Sequence, residues 1–341
     1  LLAPPPAVAH EKWFHEAGNY ELRWDLLWRP LPLALIAAVV LLTFLAAWLW
    51  RRRGRRGFLP SLEQLGSPPE RRLLLYGILP AFLGLHVSIP LLVSGIEGTL
   101  LTPNNALSVP WIYAFGVAQI AIALSLFYGL LTRWAGLLLA ALWMGGVVLL
   151  GPERMLESSV YLGIAAFFFL CGRGPFSADR LLTPRLEPSA RFMALGLPAL
   201  RVGLGLSLIV VAFTEKLANV PLSLDFLAHY QVNFTSALGM PLSDETFTLC
   251  AGAVELLVGL WVLLNVFCRE VILIAWFPLN LTLTVFGWPE LVDHLPLYAI
   301  SALLLLWSDD QANRQLWVRG LREGPLPIVQ DDSPVERASY D

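Results

Sequence analysis

The stretch Leu197-Pro198-Ala199-Leu200-Arg201-Val202-Gly203-Leu204-Gly205-Leu206-Ser207-Leu208-Ile209-Val210-Val211-Ala212-Phe213-Thr214-Glu215-Lys216-Leu217 decides the fold. It is apolar over most of its length, carries an arginine near its start, and meets an acid 14 residues later. On a helix rising about 1.5 Å per residue that interval covers about 21 Å, roughly two-thirds of a hydrocarbon core about 30 Å thick. The same interval separates Arg72 from His86, Gln119 from Arg133, and Glu255 from Arg269. The spacing predicts a polar layer of His86, Gln119, Glu215 and Glu255 at one depth in a membrane. Ionisable residues at such depth are costly and face a protein interior or a wet cavity, so this layer is the first candidate site.

Composition agrees with a membrane setting. Hydrophobic residues make up 57% and charged residues 14% of the 341 positions, and the mean hydropathy is +0.65. A soluble domain needs far less apolar length to fill its core, so the expected fold class is all-α, a polytopic membrane protein. The net charge of -3 says little about partners, because basic residues gather on one side of the expected spans. No basic stripe points to nucleic acid; lipids and protein partners in a membrane complex are the expected contacts. Cys171, Cys250 and Cys268 have no CxxC spacing and read as apolar packing rather than a disulfide or a thiolate metal site. Most of the 13 tryptophans fall at span ends, where an aromatic belt accounts for them without a haem, and no CxxCH is present. Walker, GxGxxG, GxSxG and HExxH motifs are also missing from the sequence.

Along the chain, residues 1–30 read as an extracytoplasmic segment whose first nine residues end in Ala7-Val8-Ala9, like the remnant of a secretory signal. A Pro-rich leader on a complete chain is the alternative. Residues 31–56 form an anchor helix and a basic stop, with Arg51, Arg52, Arg53, Arg55 and Arg56 cytoplasmic by the positive-inside rule. A linker follows over 57–71. A first repeat occupies 72–180, with spans near 73–95, 111–131, 134–150 and 160–172. After a linker over 181–196, a second repeat occupies 197–316, with spans near 197–218, 246–268, 271–287 and 295–307. The cytoplasmic tail is 317–341. That gives about nine transmembrane helices, an N-terminal anchor plus two four-helix bundles. Because each repeat has an even number of spans, the repeats are parallel and their axis runs along the membrane normal. Pro80 and Pro90 bracket His86 and are expected to kink its helix, as Pro278 with Asn280 would another. The run Leu222, Leu224, Phe226, Leu227 and Tyr230 should lie along the interface as an amphipathic segment.

Several motifs carry a resemblance. Leu200-Arg201-Val202-Gly203-Leu204-Gly205, followed by Phe213-Thr214-Glu215-Lys216-Leu217, looks like the opening helix of DoxX-like membrane proteins. Ala253-Val254-Glu255-Leu256-Leu257-Val258-Gly259 resembles the Glu-containing second span of that family, and Cys171-Gly172-Arg173-Gly174-Pro175-Phe176-Ser177-Ala178-Asp179 resembles its ending. The resemblance covers about residues 72–316 as two copies. It implies four-helix membrane bundles in a bacterial or archaeal cytoplasmic membrane. Members include the DoxD-type subunit of thiosulfate:quinone oxidoreductase and companions of redox proteins, so it further implies a membrane subunit of a redox assembly with quinone as the associated cofactor. The first repeat departs from the pattern, with His86 at the Glu215 position and Gln119 at the Glu255 position.

Read from the residues, Glu215 and Glu255 are the sharpest pair. A desolvated carboxylate suits proton exchange, with Lys216 and Arg201 as compensating or binding groups. The same residues also suit helix-to-helix hydrogen bonding, and His86 and Gln119 suit it better still. His10 and His15 offer a weaker copper-type nitrogen site, against an interfacial anchor built from Trp13, Phe14, Trp24 and Trp28. Three functions stay open at this point: a quinone-linked oxidoreductase subunit, a non-catalytic scaffold, and a small-molecule permease.

Overall fold

A computed structural model describes residue 12 and residues 20–230, 232–307 and 311–323. Among them the fold is all-α. The principal helices are α1 (Pro30–Arg52), α2 (Pro69–Glu97), α3 (Trp111–Tyr128), α4 (Thr132–Leu150), the short α5 (Pro152–Glu157), α6 (Ser159–Cys171), α7 (Gly196–Val211), α8 (Val220–His229), α9 (Asp244–Leu264), α10 (Cys268–Phe286), α11 (Trp288–Leu306) and α12 (Gln311–Glu323). Among the described residues six helices are long and apolar enough to cross a membrane: α1 to α4, the stretch Ala190–Leu217 that contains α7, and α9. The chain is therefore built as a multi-span membrane protein. α6 has only 13 residues, and α11 carries Glu290, Asp293 and His294 in its first two turns.

Local chemistry explains the boundaries. Pro30 and Pro69 open α1 and α2, where a missing N–H costs nothing. α2 runs unbroken through Pro80 and Pro90. Two helix-to-helix turns are built alike. Leu131 and Phe267 both take left-handed backbone just before α4 and α10, and Gly129 and Asn265 take it two residues earlier. Arg133 Nε donates to the Phe169 carbonyl at 2.9 Å, and Arg269 Nε donates to the Leu305 carbonyl at 2.7 Å. The carboxylate of Asp179 caps the N–H groups of Leu131 and Thr132, while that of Glu270 accepts from Phe58 and Leu59.

Small residues set the crossings, as expected where helices cannot rely on a hydrophobic gain against lipid. A Cβ placed on Gly203 of α7 would lie 2.6 Å from the Cα of Gly163 on α6, and one on Gly205 would lie 2.9 Å from the Gly259 carbonyl of α9. α2 and α3 cross at Gly95 and Gly116 in the same way. Two groups form, α2–α3–α4–α6 and α7–α9–α10–α11, joined where α6 meets α7 and α11 meets α2. α1 lies against α9, where Trp261 Nε1 donates to Thr43 Oγ1 at 3.2 Å. α12 folds back over the arginine-rich end and buries Trp317 against Tyr76 and Phe167. The outward faces are apolar: Val148 is 83% exposed and Phe277 71%, which suits lipid contact and not water.

Candidate functional site

The candidate site starts where α7 ends. The next residues, Ala212–Leu217, form a π-helical turn, a feature often found at functional positions. Glu215 and Lys216 are consecutive residues within it, and both side chains are largely shielded. Glu215 is 1% exposed. The turn is held by α8 and the residue before it: Ser223 Oγ donates to the Glu215 carbonyl at 2.8 Å, and Asn219 Nδ2 donates to the Thr214 carbonyl at 3.1 Å.

Lys216 joins the two glutamates that the spacing singled out. Its Nζ lies 3.2 Å from Glu255 Oε2 on α9 and 3.9 Å from Glu215 Oε2. A third acid, Glu157, comes from the end of α5. Its backbone carbonyl accepts from Ser207 of α7, and its carboxylate pairs with Lys12, which also lies 3.6 Å from Glu153. Burial pushes the Glu157 carboxyl above its ordinary range; the Lys12 ammonium opposes that shift and the charge of Glu215 adds to it. Glu157, Glu215 and Asp293 line one cavity of about 50 Å³, together with Tyr161, Ser207 and Thr102. At about 10–15 Å³ per water centre, there is room for a few water molecules among the carboxyls.

The other expected residues sit elsewhere. Gln119 is buried, but it clamps a loop and does not join the acids: its Oε1 accepts from the Leu101 N–H at 2.8 Å and its Nε2 donates to the Thr99 carbonyl at 2.7 Å. That loop carries Thr102 and Asn104 to the cavity wall, so Gln119 serves the site at one remove. His86 is half-buried, with Nδ1 2.8 Å from the Phe82 carbonyl one turn earlier and its ring against Phe82. Arg201 is half-buried in the first half of α7. His10, His15, Trp13 and Phe14 lie outside the described residues, while Trp24 and Trp28 are exposed. Among the described residues no group of three His, Cys, Asp or Glu side chains could hold a metal ion.

Sequence reasoning passed over Glu157, Asp293, Lys12 and a second buried pair, Glu290 and His294, whose Oε1 and Nδ1 lie 3.1 Å apart on the first turns of α11. A signal was present. Gly151 and Gly287 both open such a segment with positive φ, and Glu157 and Asp293 follow each by the same number of residues. Comparison with protein-family models, with curated proteins and with solved structures finds no match, so the reading of the site rests on its own geometry.

Proposed function

We propose that the chain is an integral membrane subunit of a redox assembly, linked to quinone chemistry, whose buried acids take up and pass on protons. The observation that carries this is the meeting of Glu157, Glu215 and Asp293 around one small polar cavity, with Glu255 tied to Glu215 through Lys216. Residues that only glue helices pair one to one; here three carboxyls face the same space, with Lys12 on Glu157 and Lys216 between Glu215 and Glu255 as countercharges. An aromatic ring needs a cavity of roughly 150 Å³, so the site of about 50 Å³ does not take a quinone ring. No residue of this chain is therefore assigned to holding the quinone, and the part proposed for Glu157, Glu215 and Glu255 is to move protons between water and a redox centre at the lipid or partner face.

The DoxX-like architecture belongs to the same proposal: about nine spans, two parallel four-helix repeats, the N-terminus outside and the C-terminus in the cytoplasm. Supporting it, Arg133 and Arg269 make matching bonds to carbonyls 36 residues further on. The contacts of α6 with α7 and of α11 with α2 are also what a two-fold relation between the bundles requires. Arg72, Arg133, Arg173 and Arg269 gather at one end, the cytoplasmic end by charge, and Glu157 belongs to the opposite end.

Isolation of the tagged chain from native membranes tests the reading. It expects a redox-active partner chain and bound quinone in the same complex. Recovery of the chain with neither, or with a complex that lacks any redox cofactor, favours the scaffold reading.

A further inference from the structure

A second and larger cavity, of about 190 Å³, lies at the arginine-rich end beside the start of α4 and the segment after α6. Three guanidinium groups border it, Arg133, Arg173 and Arg180. Two carboxylates border it as well, and both are engaged: Asp179 caps Leu131 and Thr132, and Glu187 accepts from Arg180 Nη1 at 3.2 Å. Arg173 is threaded between two glycines. A Cβ on Gly129 would lie 2.7 Å from its Cδ, and one on Gly84 would lie 3.2 Å from its Nε. Its Nη1 donates to the Phe176 carbonyl at 3.1 Å, and its Nε is enclosed on the Gly84 side. Arginine stays charged in proteins, and three guanidinium-bearing residues against two carboxylates that are already engaged leave excess positive charge around the cavity, which suits an anion.

The corresponding place in the other bundle shows what such an arginine takes. Arg269, after its bond to Leu305, gives its remaining nitrogens to the carbonyls of Leu59 and Pro60 at 3.2 and 2.9 Å, so the chain's own linker fills the space. Arg133, after its bond to Phe169, gives Nη1 to the Leu186 carbonyl and otherwise borders the open cavity. The cavity wall continues into exposed apolar surface at Trp134 and Leu137, which are 60% and 41% exposed. A free ion would have no use for that wall, whereas acyl chains would.

We propose that this cavity is the binding site for the phosphate headgroup of an anionic phospholipid, with the acyl chains lying along Trp134 and Leu137. Basic pockets between membrane helices at the cytoplasmic face bind such headgroups.

Purified full-length protein in non-ionic detergent, titrated with phosphatidylglycerol, phosphatidylcholine or inorganic phosphate, tests the proposal by native mass spectrometry and thermal stability. Phosphatidylglycerol should be retained and raise the melting temperature, and phosphatidylcholine should do neither. Arg180→Gln, at the outer rim of the cavity, should weaken retention by on the order of tenfold, the loss of one charge-assisted hydrogen bond. Arg133→Gln should act in the same direction. Arg319→Gln, an exposed arginine paired with Glu323 away from the cavity, should retain the lipid as native protein does. Equal retention of phosphatidylcholine, undiminished retention in Arg180→Gln, or full stabilisation by inorganic phosphate alone would each overturn it, the last in favour of a free-anion site.

Discussion

Replacing Lys216 with Met keeps the length of the side chain and removes the ammonium that stands 3.2 Å from Glu255 and 3.9 Å from Glu215. The Lys216 and Glu255 side chains are 18% and 19% exposed, so the loss falls below the about 3–5 kcal/mol that breaking a fully buried pair costs, at about 2–3 kcal/mol. Reversible unfolding in mixed micelles at pH 7 reads that loss, and adding Glu255→Gln to Lys216→Met should recover much of it. A Lys216→Met protein within about 0.5 kcal/mol of native would refute the reasoning.

Three further outcomes are expected. The Glu157 carboxyl, raised by burial above its ordinary value of 4.5, penalises the folded state once ionised, so stability should fall as pH rises from 4.5 through the folded value; Glu157→Gln should flatten that decline in melting curves against pH, and an unchanged slope would contradict it. Gly203→Leu must force α6 and α7 apart, given the 2.6 Å from its new Cβ to Gly163, and should cost about 3 kcal/mol in the same unfolding assay; a loss below about 0.5 kcal/mol would deny the close approach. Gln119→Leu leaves the Leu101 N–H and the Thr99 carbonyl unpaired at about 1–3 kcal/mol each, and should speed hydrogen exchange across residues 99–105; unchanged protection there would count against the clamp.

The helices were legible because apolar length and flanking charge mark them without help from tertiary contacts. The anchor helix expected within 31–56 appears as Pro30–Arg52 and the span expected near 134–150 as Thr132–Leu150. The interval that picked out Glu215 and Glu255 measures depth alone, which along a helix is linear in residue number. What the interval cannot give is rotation. Lys216 joins the two acids through a π-helical turn that adds no compositional mark, although Asn219 and Ser223 stand ready to close it. Rotation also sends the His86 ring to the Phe82 carbonyl and leaves Gln119 to a loop, whose path depends on contacts that no periodicity records. Glu157 and Asp293 were passed over because they lie in a short connecting helix and in the opening two turns of α11, where acids are ordinarily solvated.

The central claim is that the buried acids handle protons for a redox assembly. Quinone-dependent turnover of that assembly, carrying Glu215→Gln or Glu255→Gln and normalised to the amount of assembled complex, tests it most directly. The account predicts that either substitution lowers turnover by at least about 100-fold, the lower end of what general acid–base groups supply, while assembly is retained. Full turnover per assembled complex, with any loss confined to assembly itself, would contradict the account and leave these glutamates as helix-to-helix ties.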